Sequence, residues 1–282
     1  AKSWGEEVAS ETLGNTNAIT STYEYWDSVD DGSAVYARQR SRLVTGGSWQ
    51  AYEYYDYSDG TAVAGQLRRR HEPFANSSTT VPTNLSSHAG EVTEFSYTND
   101  PFGRATWPTL IETKVNGTTV SKTEISYSSS LFNSSWSSEL RVVTATRKDY
   151  NASGSYLTTV IKSFREDAGT KTGYERDDFF RRRVHSVARP DGTKESYVYQ
   201  RGTWNGSSFT LSASSGFNAP SSGFASRSSV IVGSSTTGAV YSSHDGYPID
   251  SIRLVSGKST MSVTIRDQFA RVVRTESYVY NG

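Results

Sequence analysis

The strongest constraint on this 282-residue chain is a side-chain pattern of period two, interrupted at short intervals by Asp-Gly and Asn-Gly. Thr22-Tyr23-Glu24-Tyr25-Trp26, Val92-Thr93-Glu94-Phe95-Ser96-Tyr97, Val120 to Tyr127 and Met261-Ser262-Val263-Thr264-Ile265-Arg266 all alternate in this way. Alternation sends successive side chains to opposite faces of a strand. Asp-Gly stands at 31–32, 59–60, 191–192 and 245–246, and Asn-Gly at 116–117, 205–206 and 281–282. These dipeptides tolerate the positive φ of tight hairpin turns. Lys114 to Val120 is the clearest predicted hairpin. Helical spacing is confined to Trp4–Leu13, which lacks a full apolar stripe. The expectation is an all-β array of antiparallel hairpins filling one domain, residues 1–282. The Ser/Gly-rich stretches near 75–90 and 207–243 read as longer loops or frayed edge strands.

The core of such an array has an unusual supply. Only 34% of residues are hydrophobic and one is Met, whereas Tyr (18), Phe (11) and Trp (6) are plentiful. Rings and Val must carry the burial, and tyrosine brings a hydroxyl that needs a partner. Acidic and basic residues balance at 29 each, which argues against nucleic acid or an acidic membrane surface as partner. Arginine outnumbers lysine 21 to 8, favouring pairing with carboxylates and stacking on rings. Cysteine is absent, which removes disulfides and thiolate metal sites, and no apolar run reaches the roughly 18 residues of a membrane helix. The opening Ala-Lys-Ser-Trp fits a processed chain or a fragment of a longer one. Asn-x-Ser/Thr sequons at Asn76, Asn84, Asn116, Asn133, Asn151 and Asn205 are possible glycosylation sites. With the polar, lysine-poor composition they point to an extracellular or cell-surface protein.

Two elements recur along the chain. One is Tyr/Phe-x-Tyr, at Tyr23/Tyr25, Tyr52/Tyr54, Phe95/Tyr97, Tyr197/Tyr199 and Tyr278/Tyr280, with an aspartate following at Asp27, Asp56 and Asp100. Glu-Ser-Tyr-Val-Tyr appears twice, at 195–199 and 276–280. The other is Asp-x-Phe-x-Arg, at Asp100–Arg104, Asp178–Arg182 and Asp267–Arg271. Tyrosines at i and i+2 share a sheet face, so successive hairpins can stack them across strands. The aspartate can cap the turn, and the arginine can reach a neighbouring carboxylate. Phe102, Phe180 and Phe269 are expected to be buried. A unit of this size cannot bury its own face, so units must stack.

This combination resembles the RHS/YD-repeat family, whose unit runs Tyr-x-Tyr-Asp, two residues, Gly-Arg, a strand, an Asp-Gly turn and the next Tyr-x-Tyr. Residues 177–199 match best, and 95–104 nearly as well. The family glycine stands at Gly103 before Arg104, and Ala270 and Arg181 replace it elsewhere. The resemblance implies a curled or spiralling sheet, as in bacterial toxin shells and the teneurin barrel. It gives structural roles to Tyr25, Asp27, Tyr54, Asp56, Tyr97, Asp100, Gly103, Arg104, Asp178, Arg182, Tyr199, Asp267, Phe269, Arg271 and Tyr280. Toxin-bearing members self-cleave at Asp-Pro-x-Gly-Leu. Here Asp100-Pro101-Phe102-Gly103 runs into Arg104, the pattern of an ordinary repeat turn.

Catalytic signatures do not emerge. His71, His88, His185 and His244 have no second histidine at ligand spacing and read as surface or turn residues. Asp27, Asp30 and Asp31, like Asp56 and Asp59, lack the spacing of a calcium loop and suit turns. No Gly-x-Ser-x-Gly elbow is present, and no cofactor motif. Arg68-Arg69-Arg70 and Arg181-Arg182-Arg183 would alternate faces on a strand and read as salt-bridged. Trp26, Trp49, Trp107, Trp136 and Trp204 suit core packing better than a sugar platform. The expectation is a non-enzymatic scaffold that self-associates head to tail through open sheet edges. The alternatives are a fragment of a toxin-enclosing shell and a module that binds glycans or other surface proteins.

Overall fold

The computed structural model describes residues 10–13, 19–26, 38–44, 49–73, 81–82, 84–85, 90–100, 106–131, 140–166, 183–211, 224–234, 240–244, 247–253, 260–267 and 269–279. Apart from 3-10 turns, all regular structure among them is strand. The chain forms two compact units, residues 1–125 with 148–156, and residues 126–147 with 157–282. Strands β1 (Ser10–Leu13), β2 (Ile19–Tyr25), β3 (Gln39–Val44), β4 (Trp49–Tyr54), β5 (Leu67–Glu72), β6 (Glu91–Asn99) and β7 (Thr106–Val115) belong to the first unit. Strands β8 (Thr118–Leu131) and β9 (Leu140–Tyr150) contribute residues to both. Next come β10 (Tyr156–Glu166), β11 (Val184–Ala188), β12 (Thr193–Trp204), β13 (Phe209–Leu211) and β14 (Phe224–Ser234). The last are β15 (Val240–His244), β16 (Tyr247–Arg253), β17 (Thr260–Asp267) and β18 (Val272–Val279).

Within the first unit each strand pairs antiparallel with the next in sequence, from β1 through β8. In the second, β10, β11, β12, β14, β17 and β18 pair in that order, β13 lies on β12, and β15 and β16 form a separate ribbon. The Lys114–Val120 hairpin is present as predicted. Asn116 and Gly117 take φ of 49° and 80°, both positive as a two-residue primed turn requires, and Val115 opposes Thr118.

Among the described residues five hairpins carry a bulge at one equivalent place. Glu24 opposes Ser41 but Tyr25 opposes Gln39, leaving Arg40 as an extra residue. The same step leaves out Arg68 opposite β4, Thr109 opposite β6, His185 opposite β10 and Val273 opposite β17. An inserted residue bends the strand and adds right-handed twist.

Each unit has its own core. Trp49 and Ala51 are buried with Leu85, and Leu43 and Val81 pack against them. Val263 and Ile265 form the second cluster, joined by Trp204 and Phe209.

Two expectations need correction. Ser10–Leu13 is not helical but a strand paired with Ile19–Thr22, because Glu11 and Thr12 offer no apolar stripe and a strand partner is near in sequence; residues 4–9 lie outside the described residues. In the stretch near 75–90, Leu85 packs with Trp49 and Ala51 in the core. The Ser/Gly-rich stretch 207–243 contains β14, eleven residues lying between β12 and β17. Two flanking strands can satisfy its backbone groups, which overrides its weak composition.

Candidate functional site

The feature that recurs in side-chain detail is a tyrosine lock. The hydroxyl of Tyr54 donates to the carbonyl of Gln39 at 3.0 Å, that of Tyr97 to Leu67 at 2.8 Å, and that of Tyr199 to Val184 at 2.9 Å. Each acceptor is the first residue of the strand preceding the tyrosine's own, β3, β5 and β11. Continuing the register by two residues sets Gln39, Leu67 and Val184 opposite Glu53, Ser96 and Val198, so each tyrosine sits one position beyond its acceptor. The lock occupies a carbonyl where the ladder gives way to the bulge. Burial raises the Tyr54 and Tyr97 phenols above their ordinary pKa, which keeps them as donors.

The first tyrosine of the pair bonds along its own strand. Tyr52 donates to Gln50 Oε1 at 2.8 Å, Tyr197 to Glu195 Oε2 at 2.7 Å and Tyr278 to Glu276 Oε2 at 2.6 Å. Side chains at i and i−2 share a face, which makes this contact local and repeatable. Burial, then the bonded Glu195, pushes Tyr197 up to about 12.

The bulge residue is used as well. The Arg40 guanidinium lies 4.7 Å from the centre of the Trp26 ring, and that of Arg68 5.4 Å from Tyr55. His185 meets Phe164 edge-on at 5.2 Å. Trp26, Tyr55 and Phe164 hold one position, each donating its backbone N–H across the bulge to Arg38, Gln66 and Arg183. Arg38 and Arg183 in turn stack on the locking Tyr54 and Tyr199, at 5.5 and 4.8 Å.

On the opposite face of the first unit a polar ladder crosses four strands. His71, 2% exposed, bonds Glu53 Oε2 at 2.9 Å, and Arg69 bridges Glu53 at 3.5 Å to Glu94 at 2.9 Å. Lys114 then joins Glu94 at 2.5 Å to Glu112 at 3.2 Å. The His71 bond holds Glu53 below the usual carboxylate range, and the Lys114 bond does so for Glu94. His71 is buried within the sheet, and its bond to Glu53 ties β5 to β4.

The remaining motif residues fall into turns and strand ends. Asp56 caps a 3-10 turn reciprocally with Asp59 (bonds of 2.6 and 3.0 Å), which explains those carboxylates by turn chemistry. Tyr25 ends β2 opposite Gln39, and Asp100 is buried just after β6. Asp267 Oδ1 accepts from the backbone N–H groups of Phe269 and Arg271, and Arg271 pairs with Asp267 and stacks on the Phe269 ring. The expected burial of Phe269 is wrong: it is 68% exposed, because this Asp-capped turn sets it at the hairpin apex. Asp27, Phe102, Gly103, Arg104, Asp178, Phe180, Arg182 and Tyr280 lie outside the described residues.

Among the sequons, Asn116, Asn151 and Asn205 form exposed turns. Asn151 Oδ1 accepts from Ser153 and Ser155, and Asn205 Oδ1 from Ser207 and Ser208, which holds these turns. Asn84 is exposed, and Asn76 and Asn133 lie outside the described residues. His71 and His185 are strand residues rather than the surface or turn residues expected, and His88 is outside the described set. Trp49 is core, and Trp26 donates its indole N–H to the Tyr52 carbonyl. Arg68, Arg69 and Arg70 are all paired, with Asp59, with Glu53 and Glu94, and with Glu72. The bulge contacts and the polar ladder escaped sequence reasoning. Their one visible sign was the aromatic residue after the tyrosine pair at Trp26 and Tyr55.

Among the described residues no group of three or more His, Cys, Asp or Glu is placed to hold a metal ion, and no helix is long and apolar enough to cross a membrane. No protein-family model, curated protein or solved structure matches the chain.

Proposed function

We propose that this protein is a structural scaffold of the RHS/YD-repeat kind, non-enzymatic, working in the extracellular space or at the cell surface. The observation that carries the reading is the tyrosine lock, the same hydroxyl-to-carbonyl bond from Tyr54, Tyr97 and Tyr199. A repeated contact that ties each hairpin to itself serves order along an array, which is the property a scaffold needs. Arginines and tyrosines spend their chemistry on cross-strand stacking and pairing, and the sequons and balanced charge suit an exposed location. The test is surface labelling and fractionation of cells that make the native product. Recovery from the medium or the labelled surface, folded and protease-resistant, is the expected result. Recovery solely from the cytosol would overturn the location, and turnover of a substrate by the purified protein would overturn the non-enzymatic reading.

A further inference from the structure

We infer that the bulged hairpin β2–β3 forms a binding site for a free α-amino acid with an aliphatic side chain. A cavity of roughly 310 Å³ opens beside it, walled by Leu43, Val81 and Pro82 and edged by Glu24, Arg40 and Ser41. Ligand pockets start at about 300 Å³, so the space suits a single amino acid or one sugar ring. The bulge builds this site. Arg40 and Ser41 are consecutive and would face opposite sides of a regular strand, yet as the inserted residue and its neighbour both line the cavity. Leu43 and Val81 also pack on the Trp49 core, which fixes the apolar wall.

The neighbouring hairpin β4–β5 identifies what is unanswered here. Its register sets Glu53, Arg68 and Arg69 at the places of Glu24, Arg40 and Ser41. There the charges are met within the chain, Glu53 by His71 and Arg69, and Arg68 by Asp59 at 3.7 Å. In β2–β3 a serine stands where the second arginine would be, which leaves both the space and an uncountered carboxylate. Among the described residues Glu24 accepts from the Ser41 hydroxyl at 3.0 Å, Arg40 stacks on Trp26, and neither meets an opposite charge. A carboxylate and a guanidinium on one cavity, unpaired with each other, fit a ligand that carries both charges. Its ammonium group answers Glu24. Its carboxylate takes the guanidinium edge that stacking on Trp26 leaves open, and its aliphatic side chain covers Leu43, Val81 and Pro82. A neutral sugar would counter neither charge, and the indole face it would stack on is taken by Arg40 at 4.7 Å. The site is confined to this hairpin and the segment beside it, and its chemistry holds whether or not the protein is a scaffold.

The experiment is titration of the purified full chain with L-leucine, followed by calorimetry and ligand-observed nuclear magnetic resonance. Leucine should bind with a millimolar or tighter dissociation constant. N-acetyl-leucine lacks the ammonium and leucinamide lacks the carboxylate, so each should bind about tenfold or more weakly for the loss of one charge-assisted contact. Glu24→Gln should weaken leucine to a similar degree. Ser41→Arg, which copies the β4–β5 hairpin, should fill the cavity, pair with Glu24 and abolish binding while the fold persists. Should Ser41→Arg fail to fold by circular dichroism, Glu24→Gln and the two analogues on the wild type carry the same test. No binding of leucine at tens of millimolar, analogues that bind as well as leucine, or a Glu24→Gln or folded Ser41→Arg chain that binds it like wild type would each overturn the inference. So would tighter binding of methyl glucoside than of leucine.

Discussion

Replacing Tyr97 by phenylalanine isolates the lock, since the ring stays and only the hydroxyl leaves. The lost bond, 2.8 Å to the Leu67 carbonyl, joins two neutral groups. Such bonds contribute about 0.5–1.5 kcal/mol net, and a buried acceptor left without its donor costs about 1–3 kcal/mol. Tyr97 is half-buried, so water can reach the freed carbonyl and the lower part of the range applies. The edge-on contact with Tyr55, centroids 6.0 Å apart, survives the change. The expected loss is therefore about 1 kcal/mol, with the same for Tyr54→Phe and Tyr199→Phe. These share no partner, so all three together should cost about 3 kcal/mol. Urea unfolding followed by near-ultraviolet circular dichroism measures it, with Tyr57→Phe, a 53% exposed tyrosine, as control. A control within about 0.5 kcal/mol of wild type is expected. If Tyr97→Phe is also silent, or if the control costs as much, the lock is not a stabilising element.

Phe269→Ala should cost well under about 1 kcal/mol in the same assay, because the ring is largely in solvent and loses chiefly its contact with Arg271. Gly202→Ala should cost about 1–3 kcal/mol, since a Cβ there would lie 2.1 Å from the Thr210 carbonyl oxygen and 2.6 Å from the Phe209 ring; a melting temperature equal to wild type would count against that packing. Burial, then the charges of Lys162 and Lys194, lowers His185 from 6.5 to about 4. The unfolded chain then binds the proton first, so stability is lost as pH falls from 6.5 towards 4, by up to roughly 3 kcal/mol. A pH series of melting temperatures for wild type against His185→Gln should diverge across that window, and parallel curves would refute it.

What was legible in the sequence is what local chemistry dictates. Alternation fixed β2, β6, β8 and β17, and Asn116-Gly117 fixed a turn, because each depends on neighbours within a few residues. The Tyr-x-Tyr pairs were visible as a repeat, but the carbonyls they lock lie 15 or 30 residues away, across loops of unequal length. Strand β14 failed local reading for a related reason. Arg227 and a run of serines look like loop until β12 and β17 supply partners on both sides. Phe269 failed the other way, since a motif phenylalanine reads as core by composition and lies outside by position in the turn.

The bulge ties these observations together physically. A regular hairpin would place Arg40, Arg68 and His185 in register, pointing alternately with their neighbours. The extra residue re-aims each of them at the ring of Trp26, Tyr55 or Phe164. From ring to bulge residue the separations in sequence are 14, 13 and 21, worked from 40 − 26, 68 − 55 and 185 − 164, so no fixed spacing betrays the contact. A chain poor in leucine can still order its strands this way. Tyrosine buries its ring while its hydroxyl satisfies the carbonyl that the bulge leaves exposed, and arginine covers the ring's outer face while its charge stays hydrated. Replacing Arg38, Arg40, Arg68 or Arg183 by lysine would keep the charge and lose the planar stacking on Tyr54, Trp26, Tyr55 or Tyr199.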